Sequence, residues 1–519
     1  MPPIHKMISY PLLYVNSRAI PQDEIQHYPR DFVVAGSWSR IGQGLMSNLE
    51  ALNDIAFDNG GNRAFGLAGY DASVDYIYKR ASKVKNAKVW KQNFPALFAY
   101  VDSIDLKVDD KSIYVYGLTY SPSTSEEGIT AEIALGPEGA AGCDASSYDN
   151  LDVKGKIVLV QRFRCPTGGT LAGRVIPAAA AGASAVIIYH DLTTNVTAGS
   201  LSAPNPEKHV PAGFINLADG QKLKERIEAG EKVEAYFQQS QTIEERITQN
   251  VIAETTGGDP RNVIMLGAHL DSVQAGPGIN DDGSGSSLIL ELFLALSKYK
   301  TKNKIRFAWW GAEENGLLGS KFYTSNLATK DVNDLLVYLN FDMVAKGFFG
   351  VADTDGSSHG SKAPKGSEVT EKIFVDYFTS KGIEVTPAVL TNGSDYASFW
   401  QTLNKPFGFL HTGTAVEQDP CYHQACDTID NPDSKTLTVN AKASWTLKDY
   451  SSLVTNNYQA AAHILATLDE RGTKLIPKTK ITDATLQNLQ QRSVGPDLGM
   501  IDELEAMGLR HLGCGQHEI

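Results

Sequence analysis

In the second half of the chain, short apolar strands alternate with helical segments. The segments that read as strands are residues 263–267, 305–310, 337–341 and 407–410, and residues 288–296 repeat their apolar side chains with the period of a helix. Strands that alternate with helices build a mostly parallel sheet, because each connection must cross back to the edge where the previous strand began. The sequence therefore predicts an α/β fold in which a doubly wound, mostly parallel sheet carries helices on both faces.

The first half of the chain has a different rhythm. Two amphipathic helices are expected before a break at residues 121–128, which is rich in Pro, Ser and Glu. Beyond it, short segments of a smaller α/β unit are predicted: strands at 156–160, 185–189 and 233–237, and an Ala-rich helix at 178–183. We interpret the chain as four parts: a main domain in two pieces (37–120 and 241–470), a smaller inserted domain (121–240) and a polar C-terminal tail (471–519).

Charge and hydropathy exclude two classes of partner. The chain has 47 Lys and Arg against 60 Asp and Glu, a net charge of −13. Such a surface repels nucleic acids and anionic membranes, so neither is predicted as a partner. The longest apolar stretch, residues 175–189, contains Pro177 and is too short to cross a bilayer. The N-terminus shows no clear signal peptide.

Metal-ligating side chains cluster where the predicted strands end. In parallel sheets the carboxyl ends of the strands meet at one edge, where ligands bind. The candidates there are His269 and Asp271 after the first strand, Asp281 in the Gly-rich GPGINDDGSG loop, Glu313 and Glu314 after the second strand, Asp342 inside the third strand, and His423 between two cysteines. Taken singly, these are more simply helix caps and solvated strand ends.

Together the candidates favour zinc. A mixture of imidazole and carboxylate ligands suits Zn²⁺, and two ions about 3.5 to 4 Å apart need a carboxylate that bridges them. Two histidines and three or four carboxylates on one sheet edge meet this requirement. They supply five ligands for two ions and one further glutamate that need not bind metal. An unpaired carboxylate such as Asp342 within an apolar strand would also be costly to bury.

Five motifs occur in the order of a known family: HLDSV, GPGINDDGSG, GAEENGLLGS, NFDM and CYHQACDT. Over residues 37–469 the sequence resembles the dizinc aminopeptidases that include aminopeptidase Y and the secreted fungal and bacterial leucine aminopeptidases. The segment 121–240 resembles the protease-associated (PA) domain inserted in that family. The resemblance implies a zinc exopeptidase fold, with residues 241–470 as the main part of the catalytic domain.

The resemblance also implies a role for each candidate residue. His269 and Asp342 bind one zinc ion, Glu314 and His423 bind a second, and Asp281 bridges the two. Glu313 is the general base that activates a water held between the metals, and Tyr422 stabilises the oxyanion. Asp271 fixes the tautomer of His269.

The implied function is a zinc-dependent aminopeptidase with two Zn²⁺ per subunit. It removes the N-terminal residue, with a preference for apolar residues such as Leu, from peptides that have a free N-terminus. A monomer is expected. One departure stands out, because many relatives have an arginine where this chain has Ser394.

Cysteines and sequons fit a secreted or vacuolar protein. Cys143 with Cys165 and Cys421 with Cys426 are closely spaced pairs and candidate disulfides, whereas Cys514 stands alone. The candidate glycosylation sites are Asn195 and Asn392.

Four alternative functions share part of this sequence pattern. GSSHG at residues 356–360 matches a serine-hydrolase pattern but lies in a polar loop rather than between a strand and a helix. A non-catalytic, receptor-like relative should have lost ligands, and all five are present here. Glutamate-type carboxypeptidases need a large helical domain, for which about 50 residues after Asp469 leave no space. A dipeptidase stays open as an alternative.

Overall fold

The computed structural model describes residues 38–193, 195–196, 199–296, 299–413, 418–432 and 452–492. Its strands are β1 (Ala87–Val108), β2 (Lys111–Ser112), β3 (Tyr116–Gly117), β4 (Ile129–Leu135), β5 (Ile157–Gln161), β6 (Ala185–Tyr189), β7 (Ala212–Ile215), β8 (Glu234–Thr255), β9 (Asp259–His269), β10 (Asn303–Trp310), β11 (Leu335–Phe341), β12 (Gly350–Ala352), β13 (Thr386–Ala388) and β14 (Phe407–His411).

The α-helices lie before, between and after these strands. They are α1 (Trp38–Asp58), α2 (Ala68–Ala81), α3 (Ala172–Ala180), α4 (Leu217–Glu228), α5 (Ser284–Leu296), α6 (Leu318–Ser325), α7 (Thr329–Asp334), α8 (Ser367–Ser380), α9 (Tyr396–Leu403), α10 (Ser452–Leu475) and α11 (Asp483–Arg492). No helix among the described residues is both long enough and apolar enough to cross a membrane.

The centre of the molecule is a parallel sheet. Strand β9 lies between β10 and β11, and β14 pairs with the far side of β11, all in parallel. Along the whole sheet the order is β13, β12, β14, β11, β9, β10, β8, β4, β5, β6, β7 and β3. The α/β fold with a large, mostly parallel sheet is confirmed, and antiparallel pairs join its parallel parts.

Both faces of the central strands are buried, which explains their nearly unbroken apolar sequences. Helices α1, α2, α5, α8 and α10 pack their apolar residues on one face. Helices α6, α7, α9 and α11 pack on the other face. The carboxyl ends of β9, β10, β11 and β14 therefore form a single edge that is supported by helices on both sides.

A long two-stranded ribbon was not predicted. Strands β1 and β8 pair antiparallel over their whole length, with one irregularity between Val101 and Ser103. The strand expected at 233–237 is only the start of β8, which runs for 22 residues. Between β1 and β8 along the chain lie β3 to β7, α3 and α4. Their apolar residues form two small cores together with residues of β1 and β8.

Three further sequence expectations differ from the structure. The Ala-rich helix expected at 178–183 is α3, which ends at Ala180, and Gly182 continues with a left-handed φ of 88°. Asp342 does not lie inside a strand but directly after β11, which ends at Phe341. Part of the expected tail forms α11, whose buried Leu486 packs against the core beside α9. Cys514 lies outside the described residues.

A buried histidine at the end of β14 predicts a specific dependence of stability on pH. Neither ring nitrogen of His411 has a hydrogen-bond partner among the described residues. The ring lies 5.4 Å from that of Phe409. A Cβ on Gly350 would lie 2.0 Å from His411 Nε2, so a glycine is needed there. Burial lowers the pKa of His411 from 6.5 to about 4.

The pKa of His411 is lower in the folded protein than in the unfolded chain. Neutral His411 therefore makes its full contribution to the free energy of unfolding above pH 6.5. As the pH falls to 4, the unfolded chain takes up a proton that folded His411 resists, so stability falls by about 3 kcal/mol and then levels off. We expect the His411→Phe variant to lack this component of acid destabilisation. Urea unfolding at pH 7, 5.5 and 4.5 measures it, and parallel pH curves for variant and wild type would contradict the assignment.

Candidate metal centre

The carboxyl edge of the sheet gathers residues from four separate parts of the chain. His269 is the last residue of β9, Asp342 follows β11, and the loop after β10 carries Glu313. Asp281 lies in the turn before α5, because a parallel connection from β9 to α5 must start at this edge. All four side chains are buried.

Asp281 lies between the two histidines. Its Oδ1 is 3.0 Å from Nε2 of His269, and its Oδ2 is 3.2 Å from Nε2 of His423. Nε2 of His269 is also 3.6 Å from Oδ1 of Asp342, and Nε2 of His423 is 3.1 Å from Oε2 of Glu314. The structure thus gathers the five candidate ligands into two groups that share one carboxylate.

The donor atoms of this cluster fit metal ions. Oδ1 of Asp342 and Oε1 of Glu314 are buried without a hydrogen-bond partner among the described residues. Several buried carboxylates in contact repel one another, and a cation between them would relieve that repulsion. Two imidazoles with three carboxylates are a ligand set suited to zinc.

The neighbouring carboxylates raise the pKa values of both histidines. Burial disfavours their charged forms, but the carboxylates of Glu313 and Asp342 outweigh it and hold the pKa of His269 well above its ordinary value. Burial also opposes the charge on His423, yet Glu314 and Asp281 raise the pKa of His423 to about 10. A metal ion must displace a proton from each ring, so metal binding strengthens as the pH rises.

Glu313 lies farther from His269 than the candidate ligands Asp281 and Asp342 do. Its Oε2 is 3.9 Å from Nε2 of His269, the longest of the separations around that ring. Burial raises the pKa of Glu313 well above its ordinary value, and the neighbouring carboxylates of Glu314 and Asp342 raise it further. A raised pKa makes a carboxylate a stronger base, and a general base must accept a proton and return it.

Asp271 organises the loop that carries the two glutamates. Its carboxylate accepts the backbone N–H of Glu313 at 3.1 Å and that of Glu314 at 3.2 Å. Nδ1 of His269 lies 3.1 Å from the backbone oxygen of Asp271 and 3.7 Å from its carboxylate. The nearer partner of the imidazole is therefore the carbonyl, while the carboxylate holds the glutamate loop.

A disulfide loop presents His423 and Tyr422. The structure contains a disulfide between Cys421 and Cys426, as well as one between Cys143 and Cys165. His423 has a left-handed backbone with φ of 55°, and its ring stacks on that of Tyr422 with centroids 3.9 Å apart. The closed loop restrains this unfavourable backbone and places the phenol next to a candidate ligand.

Three important residues were missed by sequence reasoning. Asp427 accepts the backbone N–H of Asn280 at 2.9 Å and that of Asp281 at 3.0 Å, and burial raises the pKa of Asp427 to about 7. The guanidinium of Arg63 donates to three carbonyls that flank the ligands, those of Leu270, Pro277 and Gly278.

The third missed residue, Asp282, is a further candidate metal ligand. It lies with His269 and Asp342 in a second group close enough to hold an ion. Its Oδ1 accepts the N–H of Gly285 at 2.8 Å and that of Met343 at 3.1 Å, which ties down the chain after Asp342. Acidic residues in a Gly-rich turn do not reveal which one faces the metal.

The two glycosylation candidates differ in surroundings. Asn195 is exposed. Asn392 is partly buried and its amide oxygen accepts a hydrogen bond from Gln401. The next serine of that sequon, Ser394, is fully buried, so Asn195 is the more accessible of the two in the folded protein.

Known proteins share both the sequence and the fold. Residues 250–447 match the model of peptidase family M28, and residues 129–223 match that of the PA domain. The chain is 37% identical over 463 residues to "probable leucine aminopeptidase 2" of Aspergillus oryzae, covering 84% of this chain and 90% of that one. It is also 37% identical over 417 residues to leucine aminopeptidase 2 of Arthroderma otae, covering 77% of this chain and 81% of that one.

Two solved structures of aminopeptidases are similar. An aminopeptidase from Aneurinibacillus sp. strain AM-1 superposes with a TM-score of 0.63 at 26% identity, covering 81% of this chain and 93% of that one. BSAP, a zinc aminopeptidase from Bacillus subtilis, superposes with a TM-score of 0.60 at 25% identity, covering 85% of this chain and 98% of that one.

Proposed function

The chain belongs to peptidase family M28, and we propose that its five clustered ligands hold two zinc ions. It is a zinc aminopeptidase, which removes residues from the N-terminus of peptides. The observation that carries the two-ion proposal is Asp281, whose two oxygens each face a different histidine at 3.0 and 3.2 Å. One ion would take His269 and Asp342, and the other would take Glu314 and His423.

Zinc bound here would polarise the scissile carbonyl and lower the pKa of a water molecule bound to it. Glu313 would accept the proton of the attacking water and return it to the departing amine. Tyr422, beside His423, would donate its phenol proton to the oxygen on which negative charge develops. Asp271 would keep Glu313 in place through the backbone bond already described.

The proposed zinc centre accounts for recognition of a free N-terminus. Two Zn²⁺ ions would balance the charge of the four buried carboxylates, which belong to Asp281, Glu313, Glu314 and Asp342. A deprotonated α-amine offers zinc a nitrogen lone pair, whereas an acetylated N-terminus has no such lone pair and adds bulk at that point. The names of the relatives favour leucine at the cleaved position, and we extend this apolar preference to the present chain.

Residues 121–240 would form the inserted PA domain, flanked by the two pieces of the catalytic domain, with 471–519 as the C-terminal part. The two disulfides support a protein that acts outside the reducing cytosol, secreted or vacuolar. We propose that it acts as a monomer on peptides.

The structure does not support a serine hydrolase. GSSHG at 356–360 lies in the turn region between β12 and α8, and it is not placed directly between a strand and a helix, as a nucleophilic serine needs to be.

The test is hydrolysis of leucyl chromogenic amides, leucyl tripeptides and dipeptides, each with an N-acetylated counterpart. We expect cleavage of the free-amine substrates, amides and tripeptides included, and of none of the acetylated ones, with loss of cleavage on chelation and its return with zinc. Cleavage restricted to dipeptides would favour a dipeptidase. The proposal would be contradicted by turnover of the acetylated substrates, or by activity that remains after a chelator has removed the metal.

A further inference from the structure

A continuous chain of buried hydrogen bonds connects the aromatic core to Asp342. Nε1 of Trp310 donates to the hydroxyl of Tyr338 at 2.9 Å, and that hydroxyl donates to Oδ1 of Asn340 at 2.7 Å. The amide nitrogen of Asn340 donates to Oγ of Ser394 at 2.7 Å, and Ser394 donates to Oδ2 of Asp342 at 2.6 Å. All five residues are at most 2% exposed.

The first donor fixes the direction of this hydrogen-bond chain. An indole N–H can only donate a hydrogen bond, so the oxygen of Tyr338 must accept it. The hydroxyl of Tyr338 then donates its own hydrogen bond to the next residue, Asn340. Burial raises the pKa of Tyr338 well above its ordinary value, which keeps the phenol protonated. The amide of Asn340 must then turn its oxygen to Tyr338 and its nitrogen to Ser394, and the serine proton points to Asp342.

A glycine in the central strand makes room for the first link. Trp310 ends β10 and Tyr338 lies in β11, so their bond crosses over β9 between them. A Cβ on Gly267 would lie 2.2 Å from the hydroxyl of Tyr338 and 2.5 Å from Nε1 of Trp310. A side chain at position 267 would therefore push the two groups apart.

The last link leaves one oxygen of Asp342 free. Its Oδ2 is occupied by Ser394, while Oδ1 has no hydrogen-bond partner among the described residues and lies 3.6 Å from Nε2 of His269. We propose that Trp310, Tyr338, Asn340 and Ser394 act together as positioning residues that present Oδ1 of Asp342 to the zinc ion shared with His269. This inference rests on the proposed two-zinc function.

Ser394 is the member of this hydrogen-bond chain that contacts Asp342 directly. An arginine there would bring its own charge to the site, whereas a serine is a short, neutral donor. A neutral donor orients the carboxylate without competing with the metal for its charge. The distant Tyr338 hydroxyl then becomes part of the metal site, three hydrogen bonds from the ligand.

The test measures zinc affinity rather than activity. Purified apo-protein competes for zinc with a chromophoric chelator, and the two binding steps are resolved for wild type, Tyr338→Phe, Ser394→Ala and the double variant. Loss of such an orienting partner typically weakens a metal site by about 10-fold to 100-fold. We expect Tyr338→Phe to weaken one step by about 10-fold and to leave the other unchanged.

The double variant separates positioning from general damage. If both residues act through the same hydrogen-bond chain, the double variant should bind zinc no more weakly than Ser394→Ala alone. Tyr323→Phe is the matched control, because its ring lies 5.2 Å from that of Trp310 and its hydroxyl accepts from Arg306. The control should keep both zinc steps at wild-type affinity.

Several results would overturn the inference. These are wild-type affinity in Tyr338→Phe, equal weakening of both steps, additive losses in the double variant, or the same loss in Tyr323→Phe. A wild-type protein that binds no zinc would instead overturn the proposed function itself. Thermal unfolding of each variant identifies any that fail to fold, and Ser394→Ala then tests the chain from its other end.

Discussion

Replacing Glu313 with glutamine is expected to lower kcat by about 10²-fold to 10⁴-fold without releasing zinc. Glutamine keeps the size and the backbone contact of Glu313 to Asp271 but cannot accept the proton of the attacking water. Because Glu313 is not among the five proposed ligands, the metal content should not change. Steady-state kinetics on a leucyl amide and zinc analysis of the same sample measure the two quantities.

Glu207→Gln is the control for this prediction, since Glu207 is exposed in the inserted region and its change should leave kcat at the wild-type value. A Glu313→Gln enzyme that keeps kcat within a few-fold of wild type would remove Glu313 from the role of base. Loss of zinc from that variant would show that Glu313 is a ligand.

Replacing Asp281 with asparagine should weaken both zinc ions at once. The amide has one oxygen and no charge, whereas the carboxylate presents an oxygen to each histidine. Each ion contributes several kcal/mol of transition-state stabilisation, so we expect activity to fall by at least about 10³-fold. Zinc content after dialysis should fall for both equivalents.

Variants of the unshared ligands sharpen this prediction. Asp342→Asn and Glu314→Gln should each weaken one zinc ion and leave the other. Asp376→Asn, on the exposed side of α8, should retain both ions and full activity. If Asp281→Asn loses a single ion, like the other two variants, Asp281 does not bridge.

Much of the site could be anticipated because it follows from the geometry of parallel strands. Where such strands end, their last residues meet, and the sequence places His269, Glu314 and Asp342 at or just after three strand ends. The sequence predicts Asp342 inside its strand, whereas the strand ends one residue earlier, at Phe341. The apolar residues on either side of it conceal the end of β11, since they remain buried beyond the sheet.

The supports of the site could not be anticipated in the same way. Arg63 binds carbonyls more than 200 residues away along the chain, and the segment around it carries no recognisable motif. The hydrogen bond from Trp310 to Tyr338 depends on strand order, which side-chain periodicity does not give. Asp427 had a weak signal as the acidic residue directly after Cys426.

The long ribbon was missed for a different reason. A strand of 22 residues far exceeds the usual five or six, and most of β1 and β8 has no continuous apolar face. Charged residues such as Glu244, Glu245 and Arg246 interrupt any apolar pattern that would predict a strand. The ribbon is instead held by backbone pairing along its entire length.

Anomalous diffraction at the zinc edge, from crystals of the zinc-loaded protein, tests the account most directly. We expect two peaks about 3.5 to 4 Å apart, both within bonding distance of Asp281. One should contact His269 and Asp342, and the other Glu314 and His423. A single peak, or a pair bridged by Asp282 in place of Asp281, would contradict the two-zinc centre proposed for this aminopeptidase.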